Sequence, residues 1–112
     1  MGERAEQMAC SHLTSLGFDV VARNVRVGRL EIDIIARRGR LLVFCEVRSR
    51  ASSYVMTPAQ SIDHRKVARC RQAAVQWLRA NPQPGSPQMR FDVVSVLFDT
   101  PDGRLNYLEG AF

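Results

Sequence analysis

Lysine is almost missing from this chain: Lys66 is the only one, beside fifteen arginines. Histidine occurs twice, tryptophan once and cysteine three times in 112 residues. Cys10, Cys45 and Cys70 are odd in number, far apart and without a CxxC pair, and His12 and His64 are the only imidazoles, which excludes a zinc site of the usual spacing. Each cysteine falls inside an apolar pattern and reads as a small hydrophobe in a reducing compartment. Long hydrophobic runs are lacking too. None approaches the ~18 residues of a membrane span, and Met1 to Gln7 is polar and carries both signs, unlike a secretion signal. A cytoplasmic protein without membrane contact is expected. Apolar residues make up 46% of the chain, too many for a disordered class and enough for a core without disulfides. A single domain over residues 1–112 is expected, burying roughly 60 to 70% of the surface the unfolded chain exposes.

What is present is positive charge. Sixteen basic residues face eleven acidic ones, for a net charge of +5 and a pI near 9.9. The arginines gather at Arg23 to Arg29, Arg37 to Arg40 and Arg65 to Arg71. Such clusters fit a polyanionic partner. They equally fit solvated helix and strand faces, so charge alone leaves both readings open.

Residues 3 to 16 read as a helix, because Ala5, Met8, Ala9, His12, Leu13 and Leu16 form one stripe at 3.6-residue spacing and Gly17 follows as a stop. Glu6 lies seven residues from Leu13, so it sits about 20° from it around the axis, at the border of the buried stripe. Glu3 points away. Phe18 to Arg23 and Glu31 to Ala36 read as strands, and Leu41 to Arg48 is the most strand-like run. With period two, Leu41, Val43, Cys45 and Val47 share one face, and Leu42, Phe44, Glu46 and Arg48 the other. The same periodicity places Glu31 and Asp33 on one face. Pro58 suits the first turn of a long helix running to about Ala80, with Val67, Cys70, Ala73, Ala74, Trp77 and Leu78 as its apolar stripe. Pro82 to Gln88 is a surface linker, Phe91 to Phe98 a fourth strand and Leu105 to Glu109 a fifth. The order α-β-β-β-α-β-β predicts an α/β fold, a mixed central sheet of about five strands flanked by helices.

Three acids stand where apolar strands do not normally carry them. Glu31 and Asp33 bracket Ile32, and Glu46 follows five uncharged residues, Leu41 to Cys45. Burying a lone carboxylate is costly, and acids brought to one sheet edge repel each other and raise one another's pKa unless a cation sits among them. Hard oxygens with no soft ligand suit Mg²⁺ or Mn²⁺. Pairing of each acid with one of the many arginines is the alternative.

These residues resemble a known pattern. Glu31-Ile32-Asp33-Ile34-Ile35-Ala36, followed by Leu42-Val43-Phe44-Cys45-Glu46-Val47-Arg48, looks like the D…ExK core of the PD-(D/E)xK nuclease superfamily, with thirteen residues from Asp33 to Glu46. More closely, the chain resembles the YraN family of bacterial proteins, whose pattern is similar to archaeal-type Holliday junction resolvases. The likeness extends over Glu6-x-x-Ala9-x-x-x-Leu13-x-x-x-Gly17-Phe18, Ala22-Arg23-Asn24-x-Arg26, Pro58-Ala59-Gln60-Ser61-Ile62, Lys66, Arg90-Phe91-Asp92-Val93-Val94 and Ala111-Phe112.

The resemblance implies a restriction-endonuclease-like core and Mg²⁺- or Mn²⁺-dependent phosphodiester hydrolysis, DNA being favoured over RNA. Asp33, Glu46 and the Val47 carbonyl would hold the metal, with Glu6 completing the shell and Glu31 adjoining it. Where the superfamily usually has lysine this chain has Arg48, and it has Leu30 and Gln60 where relatives often carry Gly and Glu. Arginine keeps the charge but is essentially never deprotonated, so Arg48 can orient water or stabilise charge and cannot act as a base. Lys66 stands at a family lysine and is a candidate for a displaced catalytic ammonium or a phosphate contact. Gln60 is a candidate for orienting the attacking water, and Tyr54 for stacking on a base. Asp92, in an otherwise apolar strand, reads as structural. Without Glu6, Glu31, Asp33 and Glu46, seven acids face sixteen bases, a remainder of +9 that forms a basic rim around an acidic pit. Arg23, Arg26, Arg29, Arg50, Arg65, Lys66 and Arg69 are its expected nucleic-acid contacts. The likeness to resolvases also implies a homodimer. The rival function is a nucleic-acid-binding module that keeps the fold but has lost turnover through Arg48.

Overall fold

A computed structural model describes residues 2–50 and 64–111, with the side chains of His64 and Lys66 excepted. Tyr54, Pro58 and Gln60, and with them the expected start of the long helix, lie outside the described residues.

The first element, α1 (Gly2–Ser15), buries Ala5, Ala9, Cys10 and Leu13 along the stripe that the periodicity marks out. It ends in a tight cap. Gly17, at φ +89°, donates its N–H to Thr14 O, and the Phe18 N–H reaches back to Leu13 O, each at 3.0 Å. Leu13 and Phe18 then pack in the same core, the hydrophobic contact that usually closes this motif. Strands β1 (Asp19–Val27), β2 (Leu30–Arg38) and β3 (Leu41–Arg50) follow as an antiparallel meander through two-residue turns, each led by a glycine at positive φ, Gly28 and Gly39. Helix α2 (His64–Ala80) then makes the crossover that β4 (Gln88–Leu97) needs to lie parallel to β3. The last strand, β5 (Arg104–Leu108), returns antiparallel to β4, giving one sheet in the order β1-β2-β3-β4-β5.

The helices cover opposite faces. Ile34, Ala36, Val43, Cys45, Val94 and Val96 pack under α1, whereas Ile32, Ile35, Leu42, Phe44 and Phe91 pack under Ala73, Ala74 and Trp77 of α2. Strand β3 is therefore buried on both sides from Leu42 to Cys45, which accounts for its uninterrupted apolar run. The element order and the mixed five-stranded sheet are as the sequence predicts.

Strand β1 departs from expectation: it continues past Arg23 to Val27. From the sequence the strand ends at Arg23, before Asn24-Val25-Arg26-Val27. At a sheet edge those arginines stay exposed while Val25 and Val27 join the apolar layer under α2. The plain alternation that puts Glu31 and Asp33 on one face also fails to carry through β2. Ile32 belongs to the α2 layer and Ile34 to the α1 layer, so the phase changes across Asp33.

Candidate active site

Strands β2 and β3 pair from Arg38↔Leu41 to Ile34↔Cys45, and the pairing stops there, while β3 continues beside β4 to Arg50. Asp33 and Glu46 are the next residues along the two strands. At that point the Val47 N–H finds Asp33 Oδ2 at 2.8 Å in place of a backbone carbonyl. The N–H and C=O of a strand residue face the same neighbour, so the Val47 carbonyl is turned towards β2 as well. The carboxylate of Asp33 and the carbonyl of Val47 thus share the gap where the ladder ends.

Glu46 lies two residues before Arg48 on the same face of β3, and Arg48 Nη2 approaches Glu46 Oε2 at 3.1 Å; both side chains are largely buried, 12% exposed for Arg48 and 18% for Glu46. Glu6 arrives from α1, also mostly buried at 17% exposed. Its Oε1 is a buried oxygen without a hydrogen-bond partner among the described residues. The guanidinium of Arg23 stands 3.9 Å away, beyond hydrogen-bond length, with its other nitrogen directed to Gln7 Oε1 at 3.5 Å. Sequence reasoning assigned Arg23 to the rim; the structure brings it to the acidic cluster itself.

Burial raises the pKa of Asp33 to about 6, against the lowering effect of the Val47 N–H, and the charges of Glu6, Glu46 and Glu31 add to the rise. The charges of three acids, from α1, β2 and β3, therefore reach the Asp33 carboxyl. Glu31 is exposed, across the hairpin from Arg26. Together with Asp33 and Glu46 it lines a cleft of about 310 Å³ whose apolar walls are Leu30, Ile32, Phe44 and Phe91, with Arg69 and Cys70 contributed by α2.

Among the described residues no three His, Cys, Asp or Glu side chains are arranged so that they could hold a metal ion together; Glu46 is held by Arg48. In chemistry the donors fit a hard divalent cation: carboxylate oxygens, a strand carbonyl and no soft ligand. The buried oxygen of Glu6 that lacks a hydrogen bond, beside a carboxylate whose charge is disfavoured, is the observation that a cation would satisfy.

The arginines divide into two groups. Arg26 and Arg29 on the β1–β2 hairpin and Arg50 at the end of β3 stand at the same end of the sheet as the acids. Arg65 and Arg69 in the first half of α2 are exposed, Arg69 at the cleft. The backbone of Lys66 lies in the same turn of α2; its side chain is outside the described residues. The cluster at Arg37 to Arg40 sits at the other end, where Arg37 Nη1 donates to Gln83 Oε1 at 2.7 Å, Arg38 Nη1 to Leu16 O at 2.8 Å and Arg40 Nη2 to Ser86 O at 3.3 Å. These side chains fasten the linker and the end of α1 to the sheet. Asp92 is structural, as expected. Fully buried, it accepts hydrogen bonds from Arg90 Nε and Nη2, from the Tyr107 hydroxyl and from the Gly110 N–H. Cys10 and Cys45 are buried and none of the three cysteines forms a disulfide; burial holds the Cys45 thiol well above its ordinary pKa, hence inert.

The model of a family described as "Uncharacterised protein family UPF0102" matches residues 5–96. A UPF0102 protein of Acidothermus cellulolyticus is 39% identical over 122 residues, covering 100% of this chain and 92% of its own length. One from Sorangium cellulosum is 45% identical over 100 residues, 88% of this chain and 69% of its own. One from Symbiobacterium thermophilum is 42% identical over 106 residues, 94% and 87%. Among solved structures the fold is similar to Archaeoglobus fulgidus Hjc, a Holliday junction resolvase from an archaeal hyperthermophile, with a TM-score of 0.55 and 18% identity over 95% of this chain and 73% of that one. The acids thus stand on a fold shared with that protein, and the chain belongs to the uncharacterised protein family UPF0102.

Proposed function

We propose that this protein is a metal-dependent endonuclease that hydrolyses DNA phosphodiesters, with Asp33, Glu46, the Val47 carbonyl and Glu6 as the ligands of Mg²⁺ or Mn²⁺. The observation that carries the reading is the Asp33 carboxyl at the point where β2 and β3 part, its charge opposed by burial and by Glu6, Glu46 and Glu31, together with the buried Glu6 oxygen that has no hydrogen bond. The bound ion would supply a nucleophilic water at neutral pH and shield the charge of the scissile phosphate.

The chain's own groups do the rest. The Val47 N–H fixes the orientation of the Asp33 carboxylate. Arg48, always cationic and now on Glu46, would stabilise charge on the phosphate, and it accepts no proton. The proton of the attacking water would therefore leave to another acceptor, a role we give to Glu31, which is exposed and lines the cleft. Arg26, Arg29, Arg50, Arg65 and Arg69 contact the DNA backbone, positioning the duplex without reading its sequence. Gln60 and the Lys66 ammonium enter the proposal on the family resemblance alone. Cutting both strands takes two such sites, which a homodimer would provide.

The test is cleavage of labelled duplex, single-stranded, flap and four-way-junction DNA in Mn²⁺ and in Mg²⁺ by wild type and Asp33→Ala. Cutting that disappears in the variant is the expected result, and the panel then names the substrate. The ion pair between Arg48 and Glu46 favours one second reading, a binding module in which arginine keeps a ligand from the metal. Salt-sensitive DNA binding by both proteins with no cutting by either would establish that reading, and regained cleavage in Arg48→Lys would locate its cause.

A further inference from the structure

We infer that Asn24 is a positioning residue for the Asp33 carboxylate and acts through its backbone conformation, not its side chain. The inference rests on the reading of Asp33 as a metal ligand. Asn24 is the one described non-glycine residue in the left-handed region, at φ +51°. It lies inside β1, a place where a side chain normally forces an extended backbone. Its own side chain is exposed and makes no hydrogen bond to a described residue.

Asn24 also stands across the sheet from Asp33, between the pairs Arg23↔Ile34 and Val25↔Ile32. Both strands change phase at this one rung. On β1, Ala22, Val25 and Val27 all pack in the α2 layer, although a three-residue step should turn Ala22 and Val25 to opposite faces. On β2, Ile32 packs in the α2 layer and Ile34 in the α1 layer, although a two-residue step should keep them together. With this change of phase the Asp33 side chain accepts the Val47 N–H, but the change alone would put β2 out of phase with β1, whose register with β2 is constant from Ala22 to Val27 and shifts only earlier, between Val20 and Ala22. The left-handed turn at Asn24 makes β1 change phase with it, so that Val25 and Val27 stay beside Ile32 and Leu30. Asparagine enters this conformation more readily than other residues with a side chain, and glycine more readily still.

The motif Ala22-Arg23-Asn24-x-Arg26 thus contains a residue whose conformation, and not its amide, serves the site. The test is amide hydrogen exchange by NMR on metal-free, DNA-free protein, comparing Asn24→Gly, Asn24→Ala and Asn24→Val with wild type. The Val47 N–H is the reporter, and the Val94 and Val96 amides in β4 serve as references for the fold. Asn24→Gly should leave Val47 within about twofold of wild type, whereas Ala and Val should speed its exchange on the order of tenfold relative to the references. If Val exposes the reference amides as well, the milder Ala carries the comparison. Unchanged protection of Val47 in Ala, or its loss in Gly with the references intact, overturns the inference. A Mn²⁺ titration of the same variants separates the two claims. Wild type that binds no Mn²⁺ refutes the ligand assignment, while the exchange result still decides whether Asn24 places the carboxylate.

Discussion

Asp33 carries two opposed demands, burial that disfavours its charge and a Val47 N–H that favours it, and burial wins, lifting its pKa from 3.8 to about 6. The consequence for stability has a definite sign. Between about pH 4 and pH 6 the unfolded chain loses this proton before the folded one does, so folding becomes less favourable as pH rises through that window. In chelator, Asp33→Asn should gain stability relative to wild type from pH 4 to pH 7, an amide being able to accept the Val47 N–H without charge. Urea denaturation at the two pH values checks this, and equal slopes for the two proteins would contradict it. Asp92 presents the opposite case, a buried carboxylate with every partner in place. Asp92→Ala leaves the Tyr107 hydroxyl and the Gly110 N–H without their acceptor and Arg90 with only the more distant Glu109, at 3.7 Å, and should cost about 3 kcal/mol. A loss in the same denaturation experiment below about 1 kcal/mol would show that water satisfies Arg90 instead.

Helix α1 reaches the sheet closely because alanine stands at its contact positions; Ala5 and Ala9 are essentially inaccessible. That closeness is what carries Glu6 to β2. Ala9→Leu should overpack the interface, costing about 1 to 3 kcal/mol, and should weaken Mn²⁺ binding by displacing Glu6 along with the helix. Thermal denaturation reads the first effect and a Mn²⁺ titration the second. A stability loss with metal affinity untouched would remove Glu6 from the ligand set. The periodicity of α1 and the uninterrupted run of β3 were legible in the sequence, since each is a pattern within a single segment, one face buried in α1 and both faces in β3. The extent of β1 was not, because an edge strand with exposed arginines has the composition of a loop.

At the scale of the molecule, Arg37, Arg38 and Arg40 fasten neighbouring segments at one end of the sheet, while Arg26, Arg29, Arg65 and Arg69 are exposed at the end bearing the acids. If the end bearing the acids is the DNA-binding end, log K should fall steeply with log salt, by roughly one unit of slope for each phosphate contact. The double substitution Arg65→Ala/Arg69→Ala should reduce that slope by about two and weaken binding alike across sequences. Arg37→Ala, at the end where its guanidinium holds Gln83 and Gly39 O, should lower stability and leave the slope unchanged. Fluorescence anisotropy on a duplex at several salt concentrations distinguishes them; equal changes in slope would dissolve the division.

The sequence by itself determined the order of elements, the apolar run of β3, and Asp33 and Glu46 as the acids out of place. These follow from local periodicity and from the cost of a carboxylate in an apolar strand, and neither depends on what lies across the sheet. Only the tertiary structure decided which arginines meet acids, that Glu6 from α1 arrives with an oxygen lacking a hydrogen bond, and that β1 and β2 change phase together at Asn24 and Asp33. Ion pairs and strand register are set by distances between segments far apart in the chain. No spacing rule within a single segment contains them.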